Sequence, residues 1–299
     1  MNQEEKRVDL PSEAPAHVDP PVPGVNPPVA GREPADRSLP FQVVCLGASA
    51  GGLEAYRAFF EALPPKTGMA FVVVAHLAPE HQSMMPEILQ RSSGMRVAQV
   101  EDNQPIRPDH VYVIPPGKSL VMADGMLQLS PRVEVRGLHL PIDLFMRSLA
   151  EHQGHKAIGV ILSGTANDGT LGMEEIQAAG GITFAQDDTA EQTSMPRSVM
   201  AAGCADFVLP PAEIAKEIER ISKHPYVQHD VENLEFPRKD PAILRVLELL
   251  RKASGVDFAH YKYNTLQRRI TRRMVLHKLQ NLSEYIRMLT AENKEVEAL

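Results

Sequence analysis

After residue 40 the chain alternates between two hydrophobic rhythms. Short continuous apolar runs rich in Val and Ile occupy Gln42–Leu46, Ala70–His76, Val111–Ile114, Ala157–Leu162, Ile182–Ala185 and Phe207–Leu209. Between most of them the apolar positions fall three to five residues apart, as in Leu53, Tyr56, Phe60 and Leu63, in Ile142, Phe145 and Leu149, and in Leu171, Ile176 and Ala179. A run without polar alternation reads as a strand buried on both faces, and the second spacing as one face of a helix. Their alternation predicts an α/β fold, a doubly wound and mostly parallel sheet covered on both sides to give three layers. Asp124-Gly125, between "SLVMA" and "MLQLS", is a hairpin signal, so a β-hairpin excursion interrupts the winding.

The rhythm changes at both ends. Residues 1–40 contain nine of the 25 prolines and hardly any large apolar side chains. Such a segment buries too little surface to offset its ordering entropy and is expected to be a disordered, Pro-rich tail. The α/β unit spans 41–223 and closes with a helix over Pro211–Ser222. Two prolines and scattered charges mark 224–239 as a linker. Beyond it, "PAILRVLELLRKASG" and "NTLQRRITRRMVLHKLQNLSEYIRMLTAEN" have helical spacing throughout, so 240–299 reads as a small all-α module.

Charge sharpens this division. From Asp240 onward eleven Lys/Arg face seven Asp/Glu, a balance of +4, so with −7 overall the preceding residues carry −11. A basic helical module beside an acidic α/β unit points to an acidic partner. No apolar run approaches the roughly 20 residues of a membrane span, and "MNQEEKRVDL" lacks the apolar core of a secretory signal. Cys45 and Cys204 give neither a disulfide nor a metal pattern. A cytoplasmic protein with no membrane insertion is expected.

Three strand ends carry candidate chemistry. The first run leads into "GASAGG", where Gly47-Ala48-Ser49-Ala50-Gly51 fits G-x-S-x-G between a strand and a helix. Small neighbours permit the sharp turn of a nucleophile elbow, and the following helix start offers N–H groups to an oxyanion. A phosphate-cradling loop is the rival, but Ser49 stands where the dinucleotide fingerprint needs its second glycine, and no Lys-Ser/Thr pair follows. His76 ends the second run, and Asp168 lies in the Gly-rich loop after "VILSG". Parallel sheets place their sites at the carboxyl ends of strands, so Ser49, His76 and Asp168 are expected to share one crevice. Taken singly, His76 is an ordinary loop histidine and Asp168 an ordinary turn residue; the convergence is the signal. Their chain order differs from that of α/β-hydrolases, chymotrypsin and subtilisin. His76/His81 and His152/His155 each lack the rest of a ligand set, so no metal and no cofactor are expected. Cys45 falls inside the first strand and reads as core.

The segments "GASAGG", "AHLAPEH", "EDNQPIRPDHVYVIPPG", "LPIDLFMRSLA", "GVILSGTANDGTLGM" and "SMPRSVM", in this order, resemble the catalytic domain of the chemotaxis protein-glutamate methylesterases, the CheB family, over residues 41–223. The resemblance implies a triad of Ser49, His76 and Asp168. It also implies hydrolysis of glutamate γ-methyl esters, and deamidation of certain glutamines, on chemoreceptor signalling helices in chemotaxis-type adaptation. Backbone N–H groups at Ala50 and in the Gly164–Thr165 loop are the oxyanion candidates. The chain departs from the family at Ala50, often threonine, and at Thr165, usually methionine. The family's N-terminal receiver domain cannot be formed by forty proline-rich residues, so control by phosphorylation within this chain is not expected.

The helical module has its own resemblance. "LLRKASGVDFAHYKYNTLQRRITRRM" followed by "LSEYIRMLTAENKEVEAL" is similar to the N-terminal helical domain of the chemotaxis methyltransferases, the CheR family. Arg268, Arg269, Arg272 and Arg273 recur at i, i+1, i+4 and i+5 and predict one basic stripe. The family implies that this stripe meets the acidic methylation region of a receptor, with a histidine kinase as a further possible partner. A nucleic-acid surface fits poorly with a small module on an acidic chain. Methyltransferase activity is not expected, because Leu299 precedes any room for an S-adenosylmethionine domain. The whole resembles the opening part of methylesterase–methyltransferase fusions. Two other readings remain: a docking module that keeps the site without turnover, and a hydrolase of small esters unrelated to receptors.

Overall fold

The strands with no polar alternation pair side by side. In the computed structural model β1 (Val43–Ala48), β2 (Ala70–Ala75), β5 (His110–Val113), β8 (Ala157–Ile161), β9 (Ile182–Gln186) and β10 (Phe207–Leu209) join β3 (Arg96–Gln99) in one seven-stranded sheet. Its order is β10-β9-β8-β1-β2-β5-β3 and every pairing is parallel. The structure describes residues 38–76, 83–132, 134, 138–224, 240–258 and 263–299. Residues 1–37 of the proline-rich tail, 225–239 of the expected linker, and His81 lie outside the described residues.

Alternate residues of each strand feed two cores. Val44, Leu46 and Ala48 pack with Tyr56, Phe59 and Phe60 of α1 (Gly52–Ala62), Leu89 of α2 (Met85–Ser92) and Ile214, Ile218 and Ile221 of α6 (Pro211–Ser222). On the other face Val43 and Cys45 pack with Ile142, Phe145 and Leu149 of α3 (Pro141–Gln153), Met173 and Ile176 of α4 (Thr170–Ala178), and Met195 and Val199 of α5 (Ser194–Ala201). This is the expected three-layer arrangement. Fully burying a large apolar side chain contributes roughly 1.5–3 kcal/mol, and both faces of the central strands do so.

The hairpin forms where expected. β6 (Lys118–Ala123) and β7 (Met126–Pro131) pair antiparallel about Asp124 and Gly125, both at positive φ, and with β4 (Gln104–Pro105) make a separate three-stranded sheet on the α3 side. Two details differ from the sequence reading. β3 was not anticipated, because "RVAQ" is an edge strand with no fully buried position and so has no apolar run. Leu171, expected on a core face, is exposed at the start of α4.

Helices α7 (Pro241–Ser254), α8 (Tyr263–Leu276), α9 (Leu282–Ala291) and α10 (Asn293–Ala298) form the C-terminal part. The Asp240 side chain caps α7 by accepting the Ala242 N–H at 2.8 Å, and Gly255 closes the helix at φ 74°. Ile243, Val246, Ile270, Met274, Tyr285 and Leu289 make their shared core. Val275 of α8 instead joins the α1/α6 core, so this part packs against the sheet-bearing part.

Candidate active site

The site is built at the carboxyl ends of β1, β2 and β8, three adjacent strands. The sheet grows to one side of β1 through β2 and to the other through β8, the kind of switch point at which such sheets open a crevice. After Ala48 the chain turns through Ser49, Ala50 and Gly51 into α1. Gly51 supplies φ 74°, where a side chain would be strained. A Cβ on Gly52 would come within 2.6 Å of the Ala48 Cβ, so only glycine lets the helix return this closely over its own strand.

Ser163, at the end of the neighbouring run, fastens the turn. Its carbonyl accepts the Ser49 N–H at 3.0 Å, its hydroxyl donates to the Ala50 carbonyl at 2.8 Å, and its N–H donates to Gln186 Oε1 at 2.9 Å. Ser163 and Gln186 are buried polar groups, and the Gln186 amide nitrogen donates onward to the Thr189 hydroxyl at 3.3 Å. Neither was singled out from sequence, where each is one more polar residue at a strand end.

His76 leaves β2 beside Ser49. Ala48 and Ala75 are register partners, and the His76 N–H donates to the Ala48 carbonyl at 3.4 Å, so the two residues exit adjacent strands together. The His76 Nε2 lies 2.7 Å from Asp168 Oδ2. Asp168 also accepts the N–H of Ile142 at 3.0 Å and of Asp143 at 2.9 Å. Its side chain is 0% exposed and sits on the N-terminus of α3, where aligned peptide dipoles favour a negative charge. A carboxylate accepts, so Nε2 carries the imidazole proton and Nδ1 keeps a free lone pair. The histidine side chain is 31% exposed. Ser49 and His76 thus leave adjacent strand ends, and the imidazole is oriented by a buried carboxylate.

The loop after β8 carries two of the three oxyanion candidates, Gly164 and Thr165. Ala166 sits at φ 65° without being glycine, a local strain of order 1 kcal/mol or more of the kind concentrated at functional sites. Among the three oxyanion candidates, the Gly164 N–H is already donated to the Gln192 carbonyl at 2.9 Å. Ala50 and Thr165 are exposed beside the turn and the loop respectively. Cys45 lies fully buried within β1, and burial pushes its thiol well above the usual range, which rules it out as a nucleophile. Among the described residues no group of three or more His, Cys, Asp or Glu is gathered to hold a metal ion, and no helix is long and apolar enough to cross a membrane.

Comparison with known proteins matches this architecture. Residues 44–218 match the family model described as CheB methylesterase. This chain belongs to the CheB methylesterase family. The crystal structure of the Thermotoga maritima CheB methylesterase catalytic domain is similar over 60% of this chain and 98% of that one, at 29% identity and a TM-score of 0.57. A relative from Burkholderia lata named protein-glutamate methylesterase/protein-glutamine glutaminase 3 is 32% identical over 208 residues, 68% of this chain and 55% of the relative. An uncharacterized 104.1 kDa protein of Rhodobacter capsulatus is 35% identical over 237 residues, 72% of this chain but 25% of the relative. The chain thus spans between a quarter and little more than half of these curated relatives.

Beyond the CheB segment, residues 241–299 match the model described as CheR methyltransferase, all-alpha domain. Its four arginines do not form one free stripe. The Arg272 Nη2 contacts both oxygens of Asp206 at 2.6 and 2.7 Å, and its Nε donates to the Gly181 carbonyl at 2.9 Å, in the CheB segment. Arg273 pairs with buried Glu295 within the helices. Arg268 and Arg269 are exposed, with Arg269 donating to the Leu299 carbonyl at 3.0 Å. Arg220 to the Val275 carbonyl, His224 Nε2 to the Leu279 carbonyl and Lys278 to Glu217 add to the junction with the CheB segment.

Proposed function

We propose that this chain is a cytoplasmic serine hydrolase that demethylates glutamate γ-methyl esters, and deamidates glutamines, on chemoreceptor signalling helices. The observation that carries the reading is the 2.7 Å His76–Asp168 contact, made at a strand end adjoining that of Ser49. Names of curated relatives, protein-glutamate methylesterase/protein-glutamine glutaminase, supply the substrate class.

In this mechanism His76 Nδ1 takes the Ser49 proton as Oγ attacks the ester carbonyl. Asp168 steadies the imidazolium that forms. The N–H groups of Ala50 and Thr165 receive the oxyanion, each such donor being worth roughly 3–4 kcal/mol. His76 returns the proton to the leaving methoxide, and methanol departs from the acyl-enzyme. Water then gives a proton to His76 and its oxygen to the acyl carbon. His76 passes that proton back to Ser49, and the freed glutamic acid gives its own proton to solvent as it becomes a carboxylate. For a glutamine the leaving group is ammonia, and the remaining steps are the same.

Methanol release from a methylated receptor signalling domain tests this directly. Wild type is expected to release it and Ser49→Ala to release none; substantial turnover by Ser49→Ala would sink the proposal. A second reading, docking to receptor helices or to a histidine kinase without turnover, is favoured by the exposure of Arg268 and Arg269. Tight receptor binding by a wild type that releases no methanol would select it.

A further inference from the structure

A second buried carboxylate stands behind Asp168 and has no part in the mechanism above. Asp143 is the third residue of α3 and is 6% exposed. Its Oδ1 accepts the N–H of Gly172, the third residue of α4, at 2.8 Å. Asp168 lies two positions before α4 and accepts the N–H groups of Ile142 and Asp143, in the first turn of α3. Each helix start is therefore capped by a carboxylate carried at the other. We propose that Asp143 is a positioning residue for His76, clasping the first turn of α4 to that of α3 so that Asp168 is held within reach of the imidazole.

The packing supports a clasp. A Cβ on Gly172 would stand 2.4 Å from the Met146 Cβ and 3.3 Å from the Asp143 Cα, so the two turns meet at a separation only glycine permits. Asp168 itself comes from a loop with backbone at positive φ on both sides, at Ala166 and Gly169, and such a loop needs external fixing. Burial, with the nearby Asp168 charge adding to it, raises the Asp143 carboxyl to about 6. Asp143 is thus a buried carboxylate next in the chain to Ile142, whose N–H is donated to Asp168.

The inference rests on the reading of His76 as the general base, and its test has a readout that does not need turnover. In the full chain, Asp143→Ala removes the acceptor for Gly172, whereas Asp143→Asn keeps it. Asp143→Ala is expected to lower kcat for methanol release about 10- to 100-fold, the usual consequence of a misplacement near 1 Å, with KM within about twofold. The low-field proton resonance of the His76 Nε2–H, seen with ¹⁵N-labelled protein, should be lost in the same variant. Asp143→Asn should recover most of kcat and the resonance. If Asp143→Ala does not fold, Gly172→Ala, which wedges the two turns apart with both carboxylates in place, carries the same expectation.

A folded Asp143→Ala or Gly172→Ala with wild-type kcat and resonance overturns the proposal, as does an Asp143→Asn that is impaired as much as Asp143→Ala. Should wild type itself release no methanol, the resonance pattern alone decides the positioning role, and only the esterase reading falls.

Discussion

Two aspartates, Asp168 and Asp206, mark opposite edges of the same parallel sheet. Asp168 follows β8 at the carboxyl edge and takes the Nε2 of His76. Asp206 precedes β10 at the amino edge, accepts the N–H and hydroxyl of Thr183 at 3.0 Å each, and meets the Arg272 guanidinium with both oxygens. Both carboxylates accept at least three hydrogen bonds, yet their partners differ. His76 is titratable, partly exposed, and has a second nitrogen left over. Arg272 is permanently charged, and its side chain is 14% exposed. A carboxylate that orients a proton carrier makes a site. The same group facing an arginine that cannot release its proton makes a fastening.

Substitution should separate the two. Asp168→Asn is expected to lower kcat by about 10⁴-fold, because an amide in that place favours the wrong imidazole tautomer. Asp206→Ala should leave kcat per folded molecule unchanged. It should instead cost about 3–5 kcal/mol in urea unfolding, the usual penalty for stranding one member of a buried ion pair. A large activity loss in Asp206→Ala would show that the amino edge feeds the catalytic edge. Unchanged activity in Asp168→Asn would remove the distinction altogether.

The carboxyl edge was far more legible in the sequence than the amino edge. Ser49, His76 and Asp168 each follow an apolar run, and parallel winding alone sends the ends of such runs to one place. Asp206 and Arg272 lie 66 residues apart in two separately folded patterns, and nothing in either pattern names the other. The spacing of the four arginines predicted a common face, but a helix carrying residues at i and i+1 spans enough arc to meet two neighbours. Arg272 accordingly turns to the CheB segment and Arg273 to Glu295. Asp143 was illegible for another reason. An acid in the first turn of a helix is an ordinary capping choice, and only its approach to α4 makes it unusual.

Acidity should also divide the two regions, with opposite signs. Burial holds Asp143 protonated up to about 6 when folded, against 3.8 as the ordinary value. Between those values the unfolded chain binds fewer protons, so stability contributed at Asp143 declines as pH rises from about 4 to about 6. Glu295, in the helical part, is buried, which alone would raise it. The hydrogen bonds from Arg273 and Tyr285 outweigh burial and lower it below 4.5. Its contribution is complete at neutral pH and is lost as pH falls through its folded value. Asp143→Asn is therefore expected to gain on the order of 2 kcal/mol over wild type at pH 8 and almost nothing near pH 4. Glu295→Gln should lose stability at pH 8 and approach wild type in acid. Urea midpoints across this range check both slopes, and parallel slopes in the two variants would refute the contrast.

The smallest effect concerns the two arginines of α8 that face solvent. Arg268 and Arg269 are exposed, so any attraction to an acidic receptor segment acts through water and counterions. Exposed pairs are worth at most about 1 kcal/mol each and weaken with salt. Arg268→Ala with Arg269→Ala should therefore weaken receptor binding by about 30-fold or less at low ionic strength and hardly at all at high salt, with only a small change in melting. Arg272→Ala should show the reverse pattern, a stability loss with no salt-dependent binding term of its own. Equal binding defects in both variants would mean that Arg272 leaves Asp206 to meet the receptor, and that the amino-edge contact opens during function. A fastening and a recognition surface would then share one helix by turns.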